Sequence, residues 1–295
     1  MKRILFNTEN NAENIAELDL YFSMNEAQLL RFYEPDLGLF VVESPMVIER
    51  ALLAGYEPRS FIMLDTVADE MIQRFEELIT KVQTDLGASK PFPINDIPVF
   101  ISDYETIAGL TGVNITRGVL ALMKRRELLS LEEVVRGCTR VAVLDDVENP
   151  TNVGALFRSA VALGIEAVIL TGSSSDPLYR RASRVSVGNV FMTKWTKLSR
   201  KNRGKTDYVH ELQNLGFKTA AVALSDKTID ISDSRLKDEE RLAIILGNEG
   251  VGLSDEVISE SDYVVKIPMA EGVDSLNVAA ASAVAFWEIT KKREC

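Results

Sequence analysis

The sequence predicts an α/β protein built in two parts. Three observations carry this reading. Short Val/Ile/Leu-rich runs alternate with helical segments after residue 136, a smaller helix-and-strand pattern precedes them, and no apolar run reaches membrane-spanning length. At 295 residues, 46% hydrophobic and 26% charged, the chain has room for two domains.

Residues 1–135 read as a small α/β domain with an acidic surface. VIERALLAGYEPRSFIML gives a helix, a stop at Gly55, Pro58 beyond it and then a strand. ADEMIQRFEELITKV is a helix, followed by the turn-rich GASKPFPINDIP and the short strand VFI. DYETIAGLTG reads as a helix and GVLALM as a strand, and KRRELLSLEEVVRGCTR links this domain to residues 136–295. Nothing here has catalytic spacing, so a recognition or scaffold role is expected.

Residues 136–295 alternate regularly. VAVL (141–144) is a strand, VGALFRSAVALG a helix ending at Gly164, and AVIL (167–170) a strand. A helix is expected near PLYRRASRVS, with Asp176 and Pro177 as start signals. The helix YVHELQNLG and the strands KTAAVAL, RLAIILG and VVKIP follow. This pattern predicts a largely parallel sheet covered on both faces, with ligands beyond the carboxyl ends of its strands.

Composition narrows the chemistry. Cys138 and Cys295 are too few for a disulfide framework or a cysteine-based zinc site. His210, the single histidine, lies in the amphipathic segment DYVHELQNLG and is expected to be structural. Catalysis therefore falls to Arg, Glu, Asn, Ser and backbone, with no metal. The opening residues hold no apolar run of signal-peptide length, and the expected address is the cytoplasm.

A net charge of −11 argues against general coating of nucleic acid. The average hides a local exception, because residues 177–206 contain no Asp or Glu. The interval carries Arg180, Arg181, Arg184, Lys194, Lys197, Arg200, Lys201, Arg203 and Lys205, with Tyr179 and Trp195 among them. Cations interleaved with aromatics suit a phosphate backbone with bases alongside, and RNA contact is expected here. The plain alternative is a solvated basic loop. Residues 1–130 hold 12 Lys and Arg against 20 Asp and Glu, an unusual balance for a domain that meets RNA.

Three strand ends carry unusual residues. In LDDVENPTNVGALFRSA, Asn152 stands where a helix begins and Arg158 lies six residues on. At about 100° per residue, Arg158 is turned roughly 120° from Asn152, so only its long side chain reaches back. From this segment alone, a capped helix with a surface arginine is the simpler reading. In LGNEGVGLSDEV, Gly247, Gly250 and Gly252 leave the backbone bare around Glu249. The loop has neither the GxGxxG order of a dinucleotide site nor the GK[ST] of a P-loop. In IPMAEGVDSLNVAAAS, the strand breaks at Pro268, a loop turns near Gly272, and Ser275 is expected to cap a helix starting at Leu276.

NxGAxxRSA (Asn152–Ala160), LGNEGVG (Leu246–Gly252) and IPMxxGVDSLNVAxA (Ile267–Ala281) resemble, in order and spacing, the three motifs of the SpoU, or TrmH-like, branch of the SPOUT RNA methyltransferases. Residues 1–135 more weakly resemble the ribosomal-protein-like substrate-binding domain that many members carry. The resemblance implies a SPOUT-type parallel-sheet domain with a deep trefoil knot, a homodimer and S-adenosylmethionine as cofactor. It implies methylation of a ribose 2′-hydroxyl in rRNA or tRNA. The family's polar active-site positions fall on Asn152, Arg158, Glu249, Ser275 and Asn277. Gly247, Ile267 and Leu276 fall on positions whose backbone holds the adenosine, with Met269 and Gly272 completing that loop. The apolar final helix, AAASAVAFWEITKKR, is then both core and partly a dimer interface. Two rival classes remain open: a non-catalytic RNA-binding or ribosome-assembly protein keeping this fold, and an α/β enzyme holding a nucleotide at LGNEGVG.

Overall fold

A computed structural model of the protein describes residues 1–7, 16–22, 24–30, 38–85, 93–111, 115, 117–199, 204–225, 228–273 and 275–291. Two compact units emerge: Met1–Glu127 with Leu178–Phe191, and Leu128–Pro177 with Met192–Cys295.

The first unit opens with β1 (Lys2–Leu5), α1 (Ala16–Phe22), α2 (Glu26–Leu30), β2 (Leu39–Glu43), α3 (Pro45–Leu53) and β3 (Pro58–Leu64). It continues with α4 (Asp65–Asp85), β4 (Pro98–Ser102), α5 (Tyr104–Thr111) and β5 (Val119–Lys124). Among the described residues these strands form one mixed sheet, β1-β4-β3-β5-β2, in which β5 runs antiparallel to both neighbours. α4 presents Ala68, Met71, Ile72, Phe75 and Ile79 to the core at helical spacing. Phe75 stacks on Phe61 of β3 with ring centroids 5.4 Å apart.

The second unit begins with α6 (Leu131–Val135), β6 (Arg140–Asp145), α7 (Pro150–Ala162) and β7 (Ala167–Thr171). The chain then lends α8 (Arg180–Val185) to the first unit. It resumes with β8 (Lys194–Lys197), α9 (Asp207–Asn214), β9 (Lys218–Val222), β10 (Ile229–Asp230) and α10 (Ser234–Asp238). β11 (Leu242–Leu246), α11 (Asp255–Glu260), β12 (Tyr263–Lys266) and α12 (Val278–Thr290) complete it. Its sheet runs β10-β12-β9-β11-β6-β7-β8, and every pairing is parallel. Val141 and Val143 of β6 join Val134, Tyr208, Leu212 and Val257 in one core, while Ala142 and Leu144, pointing the other way, are equally buried. Burial on both faces explains why these strands read as continuous apolar runs.

Two boundaries differ from the sequence expectation. The division expected at residue 135 falls at 127/128, because Leu131, Val134 and Val135 of α6 bury themselves in the second unit's core. Residues 136–295 are also not one continuous body, because 178–191 leaves as a strap of the first unit. Glu43, 1% exposed at the end of β2, accepts from Arg180 Nε at 3.0 Å and Arg184 Nη1 at 3.2 Å. Arg50 donates to the Val187 carbonyl at 2.7 Å, and Phe191 packs at 5.3 Å and 6.1 Å from the Tyr56 and Phe40 rings. Gly188 has φ +81° and lies so close to Arg50 that an added Cβ would stand 3.0 Å from its Cδ. A buried carboxylate needs cations, and the chain supplies them from 137 and 141 residues away.

At the end of the parallel sheet where β6 and β7 begin, Glu166 accepts from the amides of Thr139 at 2.6 Å and Arg140 at 2.9 Å. Burial works against its charge, but these amides outweigh it and hold its carboxyl below the usual value.

Two outcomes follow from these contacts. Glu43→Ala leaves two arginines without their shared anion and is expected to destabilise the first unit by about 3 kcal/mol, read by urea unfolding, with faster proteolysis in 178–191. The stability Glu166 contributes is present above its unfolded pKa and is lost as pH falls through its lower folded pKa. The deficit of Glu166→Gln relative to wild type should therefore shrink between pH 6 and pH 3 in urea titrations.

Candidate active site

Leu144, near the end of β6, pairs with Leu246, the last residue of β11, so the loops leaving these strands start side by side. After β6, Asp146 adopts φ +58° and turns the chain. Asn149 then caps α7, its side chain accepting from the Thr151 amide at 2.9 Å, with Pro150 in the first turn. This start places Asn152 on the buried face of α7, at 8% exposure.

The loop after β11 is tight. A Cβ on Gly247 would stand 2.6 Å from the Gly252 carbonyl carbon, and Gly252 has φ +71°. Only glycine fits both demands. The loop after β12 turns where the Val273 amide donates to the Ala270 carbonyl at 3.1 Å, next to Gly272 with φ +80°. α12 then begins at Val278 and packs along α7 and against β11. Its cap is Asn277, whose Oδ1 accepts from the Ala279 amide at 3.0 Å. This corrects the expectation of a Ser275 cap and a start at Leu276: an Asx cap two residues later reaches the free amide, and Ser275 and Leu276 stay exposed.

The three loops meet in one hydrogen-bonded chain. Asn277 Nδ2 donates to Asn152 Oδ1 at 3.2 Å, and Asn152 Nδ2 donates to Glu249 Oε1 at 2.7 Å. Capping fixes its direction. Asn277 Oδ1 is committed to the Ala279 amide, so its Nδ2 must point at Asn152, whose own Nδ2 must then face the carboxylate. Two amides thereby connect Glu249 to the partly positive start of α12.

Beside this chain lies a cavity of about 490 Å³. Gly247, Glu249, Ile267, Met269, Ser275 and Leu276 line it, so most residues chosen from the motifs converge on one space. Val222, Val265 and Ala281 add aliphatic wall. Such a volume, with aliphatic sides and bare backbone, fits an adenosine-sized group. Gly272 shapes the same loop without lining the cavity. Arg158 is exposed on α7 and is not a link of the Asn277–Asn152–Glu249 chain. Asn248, to which the motifs assign no role, also lines the cavity, and an Asn side chain that can accept from the amide two residues on is an Asx-turn signal.

The basic stretch divides. Half-buried Arg180 and exposed Arg184 are both engaged by Glu43, and Arg181 is exposed. Lys194 Nζ donates to the Arg136 carbonyl at 3.2 Å and Lys197 Nζ to the Ser174 carbonyl at 2.5 Å. Trp195, 9% exposed, lies in β8 between these lysines and is core, not a platform for bases. Strand alternation sends it inward while Lys194 stays exposed. Arg200, Lys201 and Arg203 lie outside the described residues. His210 sits on α9 with Nε2 3.8 Å from Glu260, remote in sequence from all three loops.

Asn152→Asp would set a second carboxylate against Glu249, and two like charges at that distance share a proton. Repulsion between the two carboxylates makes the penalty largest when both are ionised. The loss in melting temperature relative to wild type should grow from pH 5 to pH 8, measured by calorimetry.

Residues 139–287 match the SpoU rRNA Methylase family. An uncharacterised tRNA/rRNA methyltransferase of Mycobacterium bovis is 33% identical over 266 residues, which span 87% of this chain and 84% of that protein. Among solved structures, an AdoMet-bound rRNA methyltransferase from Sinorhizobium meliloti superposes with a TM-score of 0.75 at 20% identity, covering 97% of each chain. An RNA 2′-O ribose methyltransferase superposes with a TM-score of 0.64 at 22% identity, covering 97% of each. The family match, whose span includes Asn152, Glu249 and Asn277, settles the assignment: the chain belongs to the SpoU rRNA methylase family, the SpoU/TrmH-like branch of the SPOUT RNA methyltransferases.

Proposed function

We propose that this protein transfers a methyl group from S-adenosylmethionine to a ribose 2′-hydroxyl of RNA, with rRNA its substrate in preference to tRNA. The observation that carries the reading is the Asn277–Asn152–Glu249 chain, whose carboxylate end borders the 490 Å³ cavity. The names of its relatives support the RNA, the cofactor and the ribose in turn: tRNA/rRNA methyltransferase, AdoMet-bound, and 2′-O ribose.

Gly247, Ile267 and Leu276 would hold the adenosine through backbone groups, with Met269 as wall and Gly272 shaping the loop. The cofactor supplies an electrophilic methyl on an already positive sulfonium, so the protein's tasks are positioning and removal of one proton. Arginine is a poor base in proteins, so Arg158 is assigned to bind the RNA phosphate and stabilise the developing alkoxide. Glu249 or the RNA phosphate takes the hydroxyl proton. Asn152 and Asn277 would orient Glu249, and Ser275, exposed at the cavity, would contact the ribose.

The deep knot and the homodimer belong to the same proposal. Val284 and Trp287 of α12, 42% and 57% exposed, give a second copy an apolar face. The first unit reads RNA shape, while Arg181, Lys194 and the cations of residues 200–205 meet phosphate.

The test is methyl transfer from labelled S-adenosylmethionine to RNA from cells lacking this protein, with nucleosides identified by mass spectrometry. A 2′-O-methylnucleoside made by wild type and lost with Asn277→Ala is the expected result. A methylated base would overturn the ribose assignment, and no cofactor binding would favour a non-catalytic RNA-binding protein. Arg158→Lys should lower turnover about 100-fold, because an ammonium cannot replace the guanidinium fork. Near-wild-type turnover in that variant would remove any role for the fork.

A further inference from the structure

We infer that Asn248 is the positioning residue of the active-site loop, holding the Glu249 carboxylate in reach of Asn152; this rests on the catalytic reading above. Asn248 Oδ1 accepts from the Gly250 amide at 2.8 Å and the Val251 amide at 3.2 Å. Its Nδ2 donates to the Asp146 carbonyl at 2.9 Å. Its backbone carbonyl accepts from the Gly252 amide at 3.0 Å, closing a one-residue bridge across the loop. Two N–H groups lie on one side of the side-chain amide and a carbonyl on the other, so only one orientation satisfies it.

These bonds tie the loop to a fixed point. Asp146 is itself held by the turn after β7, its Oδ1 accepting from the Ser173 amide at 2.7 Å and the Ser173 hydroxyl at 3.0 Å. The exit of β6 is thus joined to the loop after β11 twice. One link is Asp146 to Asn248, and the other is Asn152 to Glu249, the very next residue. Gly247, Gly250 and Gly252 bring no side chains and much conformational freedom. Among the described residues, no side chain other than Asn248 accepts from this loop's amides. Glu249 is exposed, so packing does not fix it. Its direction comes from its neighbour.

Asn248 also borders the 490 Å³ cavity, so the test must separate loop position from cofactor affinity. Asn248→Ala removes both links, whereas Asn248→Asp keeps the acceptor and loses the donor to Asp146. Three readouts are taken on the full-length protein: amide exchange at Gly250 and Val251, calorimetric affinity for S-adenosylmethionine, and RNA methylation rate. With Asn248→Ala, exchange at both amides should rise at least about 10-fold. Turnover should fall about 30-fold while cofactor affinity stays within about 3-fold of wild type. Asn248→Asp should keep the exchange protection and still lose turnover. Combining Asn248→Ala with Glu249→Gln should cost no more than Glu249→Gln alone, since the first acts through the second. Additive losses in the double variant, unchanged turnover in either single variant, or unchanged exchange in Asn248→Ala would each overturn the inference. Should wild type methylate no RNA, the catalytic reading fails separately, and the exchange measurements alone decide whether Asn248 orders the loop.

Discussion

Asn152, Glu249 and Asn277 reach one another through a chain of two side-chain amides and a carboxylate, and the rest of the second unit is arranged around that meeting. No single loop could build it. β6 and β11 must be paired in parallel register for the first two loops to start together, and α12 must lie along α7 to deliver the third. One bond ends on a carboxylate and the other joins two neutral amides, and together they link three separate segments at the site. Because Asn277 also caps α12, packing of that helix and geometry of the site are one constraint.

The first unit is governed by a different electrostatic demand. Glu43 is a buried carboxylate in an acidic part of the chain, and the cations that satisfy it come from a strap inserted between β7 and β8. Arg180 and Arg184 therefore have a structural task that their sequence neighbourhood conceals. A run of basic residues counts charges but does not say which side chains face solvent. Arg126 is exposed, yet its guanidinium packs 4.4 Å from the Tyr56 ring, where partial desolvation lowers its pKa.

Legibility varied with the physics of each element. α4 announced itself because its apolar residues repeat at helical spacing against a charged face. β2, LFVVE, is not legible as a strand: it is buried along its whole length, and a short continuous apolar run carries no period. β8 was hidden because Lys194 and Lys197 flank Trp195 and made the segment look like a basic surface. The glycine loop could be read from Gly247 and Gly252, yet Asn248 passed as an ordinary loop residue, since its partners include Asp146, 102 residues earlier.

The sequence, then, carried the parallel α/β architecture, the three loops and six of the residues that line the cavity, because strand periodicity, glycine placement and motif spacing are local properties. It could not carry the capping residue of α12, the residue at which the two units divide, the strap's allegiance, or the direction of the Asn277–Asn152–Glu249 chain. Each of these is a competition among distant groups for one partner: a free amide, a buried carboxylate, a core surface. Such competitions are settled only when the folded chain brings the contenders within hydrogen-bonding distance.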